Sequence, residues 1–359
     1  MATTYGKNLK LSIFGGSHHE KIYMTLDGIC AGHKIDMDEL KALLARRAPG
    51  QNKYSTQRKE PDEPIFRCGI DKNNITTGEK IICEIYNTNQ NSKDYSSLVD
   101  VPRPSHADFA ARMKYGDNVD LRGGGHFSGR LTALMCVAGG ICLQILKKQN
   151  ISIASHVYSI EKIRDDKFNT TDPAEQMASL HGKDFPTLSC DAAEQMKEAI
   201  EAARLDGDSV GGIVETAIIG LTPGHGEHIF DGVEGRISSF VFGIPAVKGI
   251  EFGLGFGSAE LRGSENNDEF YTDGKKVFTA TNNCGGILGG MTNGMPVIFR
   301  AAMKPTPSIA REQNSVSLSK MENVKLQISG RHDPCVVIRA VPVFEAAAAI
   351  AIYDILLDK

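Results

Sequence analysis

A glycine-rich turn that runs directly into an apolar helical stretch is the feature that most constrains this chain. Arg122 to Asn150 reads RGGGHFSGRLTALMCVAGGICLQILKKQN. After the glycines, apolar residues recur at helical spacing, and Lys147 and Lys148 occupy the last turn. We therefore predict a buried helix that starts near Phe127 or Ser128. Because glycine has no Cβ, this turn can adopt left-handed backbone angles and bring the backbone close to a ligand.

The same stretch is suited to an anion. A helix N-terminus offers free N–H groups and the positive end of the helix dipole, and both favour phosphate. Arg122, His126 and Arg130 add donors beside the glycines. The alternative is a tight loop that only packs against a core helix, since the three glycines do not match the GxxxxGK[ST] pattern of a phosphate-binding P-loop.

Length, composition and cysteine usage bound the class of protein. A chain of 359 residues is long enough for one large domain or two intimate ones. Its hydrophobic share of 41% and charged share of 23% are ordinary for a soluble globular protein, and a net charge of −4 argues against a nucleic-acid binder. The 8 cysteines lack CxxC spacing and the first residues are not apolar, which favours reduced thiols in a cytoplasmic protein without a metal site. No apolar run is expected to reach membrane length.

A serine–histidine pair follows the first strand that the pattern predicts. Residues 9–14, LKLSIF, alternate in polarity and lead into Gly15, Gly16, Ser17 and His18. Histidine is the side chain whose proton moves most readily near neutral pH. After a strand and a glycine turn, this pair is placed to face a ligand. A purely polar turn is the alternative.

A basic segment follows the first predicted helix. That helix runs from Ile35 to Arg47, with Asp36 or Asp38 as its cap. Between residues 46 and 59 the chain has five basic residues and no acid. We interpret it as a clamp on a phosphorylated or carboxylated small molecule. A solvated basic loop is the first alternative, and a nucleic-acid patch is the second, although almost no aromatic residues interleave.

Two further segments combine ionisable side chains with turns. Arg103, His106 and Asp108 open a short helix that continues to Tyr115, and the aspartate is placed to orient or charge the imidazole. Near the C-terminus, RHD at residues 331–333 precedes a predicted strand from Val336 to Val341 and an alanine-rich helix from Phe344 to Leu357. Burying three ionisable side chains is costly, so an active-site loop is favoured over a structural salt bridge.

The remaining predicted elements alternate between strands and helices. Strands are predicted at 21–30, 78–86, 151–163, 210–219, 244–252 and 295–302, helices at 191–204 and 232–242, and a loop-rich insertion at 163–190. In the loop at 304–308, KPTPS, two prolines hold the chain extended while lysine, threonine and serine offer donors.

Taken in this order, the motifs resemble the chorismate synthase family. They are SH after the first strand, RRxPGQ with TQRKE, TTG, RPSHAD, GGGxxSxR, DSVGG, VKGIEFG, GGILGG, KPT, and RHDPC with RAVP. The resemblance covers residues 9 to 356. It implies one domain, residues 1–359, with an α/β sandwich fold in which a helical layer lies between two antiparallel sheets. It also implies a homotetramer.

The resemblance further implies a lyase. The family converts 5-enolpyruvylshikimate 3-phosphate to chorismate by an anti-1,4 elimination, the last common step of aromatic amino-acid biosynthesis. It uses reduced FMN although the reaction has no net redox change. We expect the reduced flavin to come from outside, because the chain has no obvious reductase domain. No nucleic acid or membrane is an expected partner.

Site residues are carried over position by position. His18 would protonate the departing phosphate, His106 would protonate or hydrogen-bond the reduced flavin, and Asp333 would take part in proton removal. Ser17 and Ser128 would relay protons. Arg47 and Lys53 match positions for the phosphate of the substrate or of NADPH. Flavin contacts map to His126, Phe127, Ser128, Pro245, Ala246, Gly289, Lys304, Pro305, Thr306, Pro307, Ser308 and Arg331.

Several positions depart from the usual family pattern. The departures are Gly16, His19, Ala48, His126, Phe127 and Pro245, and Lys53 keeps only the charge of the usual residue. Most of them remove a donor or a charge from the anion-binding surface. A non-catalytic flavin- or phosphoester-binding member of the family is therefore the second hypothesis. Because His18, His106, Asp333 and Ser128 all remain, an enzyme is favoured.

Overall fold

Strands and helices alternate along the part of the chain that the structure describes. The structure, a computed structural model, describes residues 2–50, 60, 62–88, 100–328 and 333–358. Its helices are α1 Met37–Arg47, α2 Asp108–Tyr115, α3 Thr132–Lys147, α4 Ala174–Ser179, α5 Cys190–Leu205, α6 Val233–Val241, α7 Gly263–Asn266 and α8 Val337–Leu356. Its strands are β1 Ala2–Tyr5, β2 Lys10–Phe14, β3 Lys21–Asp27, β4 Ile65–Cys68, β5 Ile81–Tyr86, β6 Ser152–Ile160, β7 Ile163–Arg164, β8 Gly212–Ile219, β9 Val247–Phe252, β10 Phe270–Thr272, β11 Val277–Thr279, β12 Ile287–Leu288, β13 Met291–Thr292, β14 Val297–Met303, β15 Gln313–Ser317 and β16 Glu322–Leu326.

Two five-stranded antiparallel sheets carry most of the strands. The first has the order β1-β2-β3-β5-β4 and the second has the order β7-β6-β8-β14-β9. In β3 buried and partly exposed residues alternate, as expected when one face of a sheet packs on a core and the other meets water. The pairs β10-β11, β12-β13 and β15-β16 form separate two-stranded hairpins. Helices and antiparallel sheets together give an α/β fold.

Helices α3 and α8 pack against each other through small residues. A Cβ placed on Gly139 of α3 would lie only 2.3 Å from the Cβ of Ala346 in α8, so glycine sets how closely the helices approach. α8 also contacts β6 and β8, and α3 contacts β3 and β6. The segment Gly129–Lys147 has the length and apolar composition of a membrane span, although the sequence analysis expected no apolar run of that length. However, 83% of its apolar window is buried in the protein. Such burial is what a core helix shows.

Two boundaries differ from the sequence prediction. α3 begins at Thr132 instead of Phe127 or Ser128. Ser128 is extended, with ψ 142°, and its hydroxyl accepts a hydrogen bond from the Arg130 N–H, so a 3-10 turn precedes the helix. The predicted insertion at 163–190 contains the short helix α4.

The predicted strand from Val336 to Val341 is wrong, because α8 begins at Val337 and includes Pro342. The β-branched residues of this segment favour a strand locally. However, nearly every side chain of α8 is buried, and burial against α3 and the second sheet overrides that preference. By contrast, the predicted cap Asp36 is confirmed, since its carboxylate accepts hydrogen bonds of 2.9 and 3.1 Å from the N–H groups of Asp38 and Glu39.

A buried histidine lies between two carboxylates in the second sheet. His156 Nδ1 is 3.0 Å from Asp165 Oδ2, and its Nε2 is 3.1 Å from Glu215 Oε2. Arg300 lies on the far side of one carboxylate, with Nη1 3.8 Å from Glu215 Oε1. Burial alone would lower the pKa of His156, but the hydrogen bonds to Asp165 and Glu215 outweigh it and raise the pKa above 6.5.

This raised pKa predicts a pH dependence of stability. Protonated His156 stabilises the folded chain fully below the pKa of about 6.5 that it has when unfolded, and that contribution is lost as pH rises through the folded-state pKa. As pH rises from about 6.5 through the folded-state pKa of His156, we expect the free energy of urea unfolding of the parent chain to fall. The His156→Gln variant, whose side chain forms hydrogen bonds but does not titrate, should not show this fall. Parallel pH profiles for the two proteins would contradict the expectation.

Candidate active site

The triple glycine forms a turn that L-residues would strain. Gly123, Gly124 and Gly125 have φ of 59°, 91° and 54°, in the left-handed region that glycine tolerates. Their missing side chains also make room for neighbours. A Cβ on Gly123 would lie 2.5 Å from both Cδ2 of His18 and Oγ of Ser17.

The same turn lies against two further side chains. A Cβ on Gly124 would lie 3.3 Å from Nε2 of His106 and 3.6 Å from Cβ of Ser128. Four of the five side chains predicted to act in catalysis are therefore packed around one glycine turn. Turns and loops far apart in sequence supply them, which is typical of an active site assembled by the fold.

Ser17 and His18 are the central residues of a β-turn. The N–H of His19 donates to the carbonyl of Gly16 at 3.1 Å and closes the turn. Ser17 ties it to the glycines, because its N–H donates to the Gly125 carbonyl at 3.1 Å and its hydroxyl donates to the Arg122 carbonyl at 3.1 Å. Both central side chains are buried.

Arg103, His106 and Asp108 form one hydrogen-bonded group at the start of α2. Asp108 Oδ1 is 2.5 Å from His106 Nδ1, and Arg103 Nε donates to Asp108 Oδ2 at 2.7 Å. Arg103 Nη2 also lies 3.1 Å from His106 Nδ1. Because a guanidinium only donates and the carboxylate of Asp108 is closer, we assign Nδ1 as protonated and as a donor to Asp108. His106 Nε2 is then the nitrogen that faces the glycine turn.

Opposing effects set the charge of Asp108. Burial alone would raise the pKa of its carboxyl group, but hydrogen bonds from Arg103 and His106, with their charges, outweigh burial and hold the pKa far below its ordinary value. Asp108 is therefore ionised at any pH at which the protein works. A fixed carboxylate on Nδ1 sets the tautomer and the orientation of His106.

Most of the predicted flavin-binding segments lie beside this group. Arg103 Nη1 donates to Ser308 Oγ at 3.3 Å, and Lys304 Nζ donates to the Ser105 carbonyl at 2.9 Å. The N–H of Lys304 donates to the carbonyl of Ala246 at 2.9 Å, which joins the loop after Pro245 to the loop 304–308. Burial, and then the charge of Lys248, lowers the pKa of Lys304.

Gly289 lies elsewhere in the described part of the chain. It follows β12 in the β12–β13 hairpin, and the contacts of this hairpin run to the start of α6. The carbonyl of Gly290 accepts a hydrogen bond of 2.8 Å from the Val233 N–H, and a Cβ on Gly290 would lie 2.3 Å from the Glu227 carbonyl. Among the described residues, no hydrogen bond joins Gly289 or Gly290 to the group around His106.

His126 uses both ring nitrogens inside the protein. Nδ1 is 2.8 Å from the carbonyl of Gly15, and Nε2 is 3.1 Å from the hydroxyl of Thr3. The neighbouring Phe127 is half-buried. At Gly16, another departure from the family pattern, a Cβ would lie 3.2 Å from the carbonyl carbon of Gly125, so the two turns pack closely there.

Arg46 and Arg47, the described basic residues of the basic segment at residues 46–59, are paired with acids that lie outside it. Arg46 forms a bidentate ion pair with Glu345 at 2.7 and 2.8 Å. Arg47, only 2% exposed, has Nη2 2.7 Å from Asp62 Oδ2, and burial lowers its pKa. Asp62 also pairs with Arg130, which connects Arg47 to the glycine-rich segment. Lys53 lies outside the described residues.

Asp333 lies on the Arg47 side of the site. Arg339 Nη1 donates to Asp333 Oδ2 at 2.5 Å, and Arg339 Nε donates to the Arg47 carbonyl at 3.1 Å. Burial raises the pKa of the neighbouring Cys335 to about 12, so this thiol is not a ready nucleophile. Arg331 lies outside the described residues.

Sequence reasoning missed three residues that hold the site together. Asp62 bridges Arg47 and Arg130, Arg339 bridges Asp333 and α1, and Asn87 contacts the Ser17–His18 turn. Asp62 sits in the polar stretch EPDEP and Asn87 follows a predicted strand, so only their positions beside turns hinted at a role. Their partners are distant in sequence, and no local pattern records such pairs.

The chain is similar to known proteins over nearly its whole length. The sequence model of the chorismate synthase family matches residues 9–357. The chain is 44% identical over 367 residues to the chorismate synthase of Lancefieldella parvula, covering 99% of this chain and 96% of that protein. It is 43% identical over 355 residues to that of Thermococcus kodakarensis, covering 99% and 97%. A crystal structure of chorismate synthase superposes with a TM-score of 0.76 at 29% identity, covering 98% of this chain and 93% of that one. The chain therefore belongs to the chorismate synthase family.

Proposed function

We propose that the glycine turn 123–125 and the side chains packed on it are the active site of this chain, which is a lyase that forms chorismate. The substrate at this site is 5-enolpyruvylshikimate 3-phosphate. The observation that carries the proposal is the packing of Ser17, His18, His106 and Ser128 around three glycines with left-handed backbone angles. A turn without side chains leaves these groups a common space for a reacting molecule.

His18 donates a proton to the departing phosphate. Its place in a closed turn, held to Gly125 through Ser17, supports this role because a proton donor acts only at hydrogen-bonding distance in a fixed geometry. Asp333 assists removal of the ring proton from the other side. Ser128, whose oxygen accepts from the Arg130 N–H, keeps its own O–H free to donate and completes a proton relay with Ser17.

The loop 304–308 fits a flavin. The hydroxyl oxygen of Thr306 is buried and has no hydrogen-bond partner among the described residues, which is costly unless a ligand supplies one. We infer that Lys304, Thr306 and Ser308, with Ala246, hold reduced FMN against His106. Reduced FMN, when bound, lends electron density to the breaking carbon–oxygen bond and recovers it, so the reaction has no net redox change. His106 Nε2 is the nitrogen that would protonate or hydrogen-bond the flavin edge, and Asp108 fixes the ring.

The orphaned hydroxyl gives a test that does not depend on turnover. Thr306→Val keeps the side-chain shape and removes the hydroxyl. We expect FMN affinity to fall by up to about tenfold, the value of one ordinary hydrogen bond. Without FMN the variant should be at least as stable as the parent chain, because an unsatisfied buried group has been removed.

Fluorescence quenching of FMN and urea unfolding of the flavin-free protein measure the two effects. Thr222→Val is the matched control, since the exposed hydroxyl of Thr222 contacts only His225 in the described structure. Unchanged FMN affinity in Thr306→Val would remove this hydroxyl from the flavin site.

Chorismate formation tests the function itself. With dithionite-reduced FMN and the substrate, the parent chain should form chorismate, followed by ultraviolet absorbance, and with oxidised FMN it should not. A folded protein that binds reduced FMN and forms no chorismate would favour the non-catalytic hypothesis. The same assay with NADPH and oxidised FMN tests the expectation that reduced flavin comes from outside.

The finer architecture belongs to the same proposal. We infer one domain over residues 1–359, with α3 and α8 as a layer between the two sheets. Contacts of α3 with β3 in the first sheet and β6 in the second support this arrangement. A homotetramer is supported by large apolar side chains that stay exposed in one chain, such as Phe230 at 93% and Phe256 at 86%. All eight cysteines are free, which supports a cytoplasmic location.

A further inference from the structure

Asn87 connects the Ser17–His18 turn to Arg130. It follows β5 directly, and its backbone N–H donates to the Glu20 carbonyl at 2.9 Å. Its side-chain Nδ2 donates to the carbonyls of Gly16 and His19 at 3.2 and 2.7 Å. These two carbonyls stand at the two ends of the turn whose central residues are Ser17 and His18. Its Oδ1 accepts from Arg130 Nε at 2.9 Å.

The neighbours fix the orientation of this amide. A carbonyl oxygen only accepts and an arginine Nε only donates, so Nδ2 must face the carbonyls and Oδ1 must face Arg130. Both N–H donors of the amide and its oxygen are thereby used. No other side chain of this size offers two donors and one acceptor. Aspartate would keep the contact with Arg130 and place a carboxylate oxygen against the two carbonyls.

We propose that Asn87 is a positioning residue for the elimination, and that it holds the Ser17–His18 turn and Arg130 as one unit beside the glycines. The inference rests on the proposed role of His18. Arg130 is itself anchored, because it pairs with Asp62, which also pairs with Arg47. The side-chain amide of Asn87 therefore fixes the position of the Ser17–His18 turn relative to the buried ion pairs of Arg130, Asp62 and Arg47.

The variants separate the two halves of this contact. Asn87→Asp keeps an acceptor for Arg130 and loses both donors to the turn, whereas Asn87→Ala loses all three contacts without adding a charge. Asn323→Asp makes the same chemical change on the exposed hairpin β15–β16 and serves as the control. Turnover is measured for each variant, alone and combined with His18→Ala. Carbethoxylation of His18 by diethylpyrocarbonate is followed by mass spectrometry of its peptide.

We expect Asn87→Asp to lower kcat on the order of 10²-fold, the effect of misplacing a reacting group by about 1 Å. It should lower kcat no further in the His18→Ala background, because both changes remove the same function. His18 should be modified several-fold faster in both Asn87 variants and at the parental rate in Asn323→Asp.

Two results would overturn the proposal. One is an unchanged modification rate of His18 in Asn87→Asp and in Asn87→Ala. The other is a double variant, Asn87→Asp with His18→Ala, in which the fold-reduction of kcat equals the product of the two single reductions. If His18→Ala alone keeps parental turnover, the proposed role of His18 fails. The modification rate, which needs no turnover, then still decides whether Asn87 holds the turn.

Discussion

Replacing His106 by alanine should lower kcat by roughly 10²–10⁴-fold, the usual contribution of a general acid or base. His106 is the side chain whose Nε2 faces Gly124 while Asp108 holds Nδ1 at 2.5 Å. Because the proposed flavin site also includes the loop 304–308, FMN affinity should change much less than kcat. Steady-state turnover with saturating reduced FMN, together with FMN titration, separates the two quantities.

The fold should tolerate this substitution. Arg103 keeps three hydrogen bonds to Asp108, from its N–H, Nε and Nη2, when the imidazole is absent. His228→Ala is the matched control, since this histidine is 74% exposed in its side chain and contacts only the neighbouring Glu227 in the described structure. Parental turnover in His106→Ala would remove His106 from the mechanism, and loss of turnover in both variants would point to a general effect on folding.

Local sequence signals predicted the regular elements well where one principle dominated. The alternation of LKLSIF and the cap at Asp36 were visible because strand pleat and helix capping are local effects. The segment 336–341 was misassigned, because its β-branched residues promote a strand while its burial against α3 promotes a helix. The start of α3 was placed too early, since Ser128 caps a 3-10 turn before the helix.

The sequence predicted which residues form the candidate site better than it predicted the hydrogen bonds and ion pairs that join them. Motifs named Ser17, His18, His106 and Ser128, and the structure packs them on one turn. The pairs that hold them were invisible, because they join residues far apart in the chain. Arg47 illustrates the difference. The basic run suggested a clamp on a phosphorylated or carboxylated small molecule, yet Asp62 pairs with this arginine inside the protein. A phosphate at Arg47 would have to compete with that carboxylate.

Gly123→Ala should lower turnover by displacing the Ser17–His18 turn. The new Cβ would lie 2.5 Å from Cδ2 of His18 and from Oγ of Ser17, well inside van der Waals contact. Ser17 cannot retreat easily, because its N–H and hydroxyl are both bonded to the glycine-rich segment. The Ser17–His18 turn must therefore shift. We expect kcat to fall on the order of 10²-fold, as for a misplacement of about 1 Å.

A matched variant separates this clash from backbone strain. Gly123 has φ +59°, and an L-residue in that region costs roughly 1–2 kcal/mol. Gly182 has φ +76° and no atom within 4 Å of the place that an added methyl group would occupy, so Gly182→Ala introduces comparable strain without a clash. Both variants should lose the stability that backbone strain costs, and Gly123→Ala should lose more because of its clash. Only Gly123→Ala should lose turnover. Equal turnover in the two variants would contradict this prediction. The methyl group that displaces His18 would then have no catalytic consequence, and close packing of the glycine turn on His18 would not be needed for the reaction.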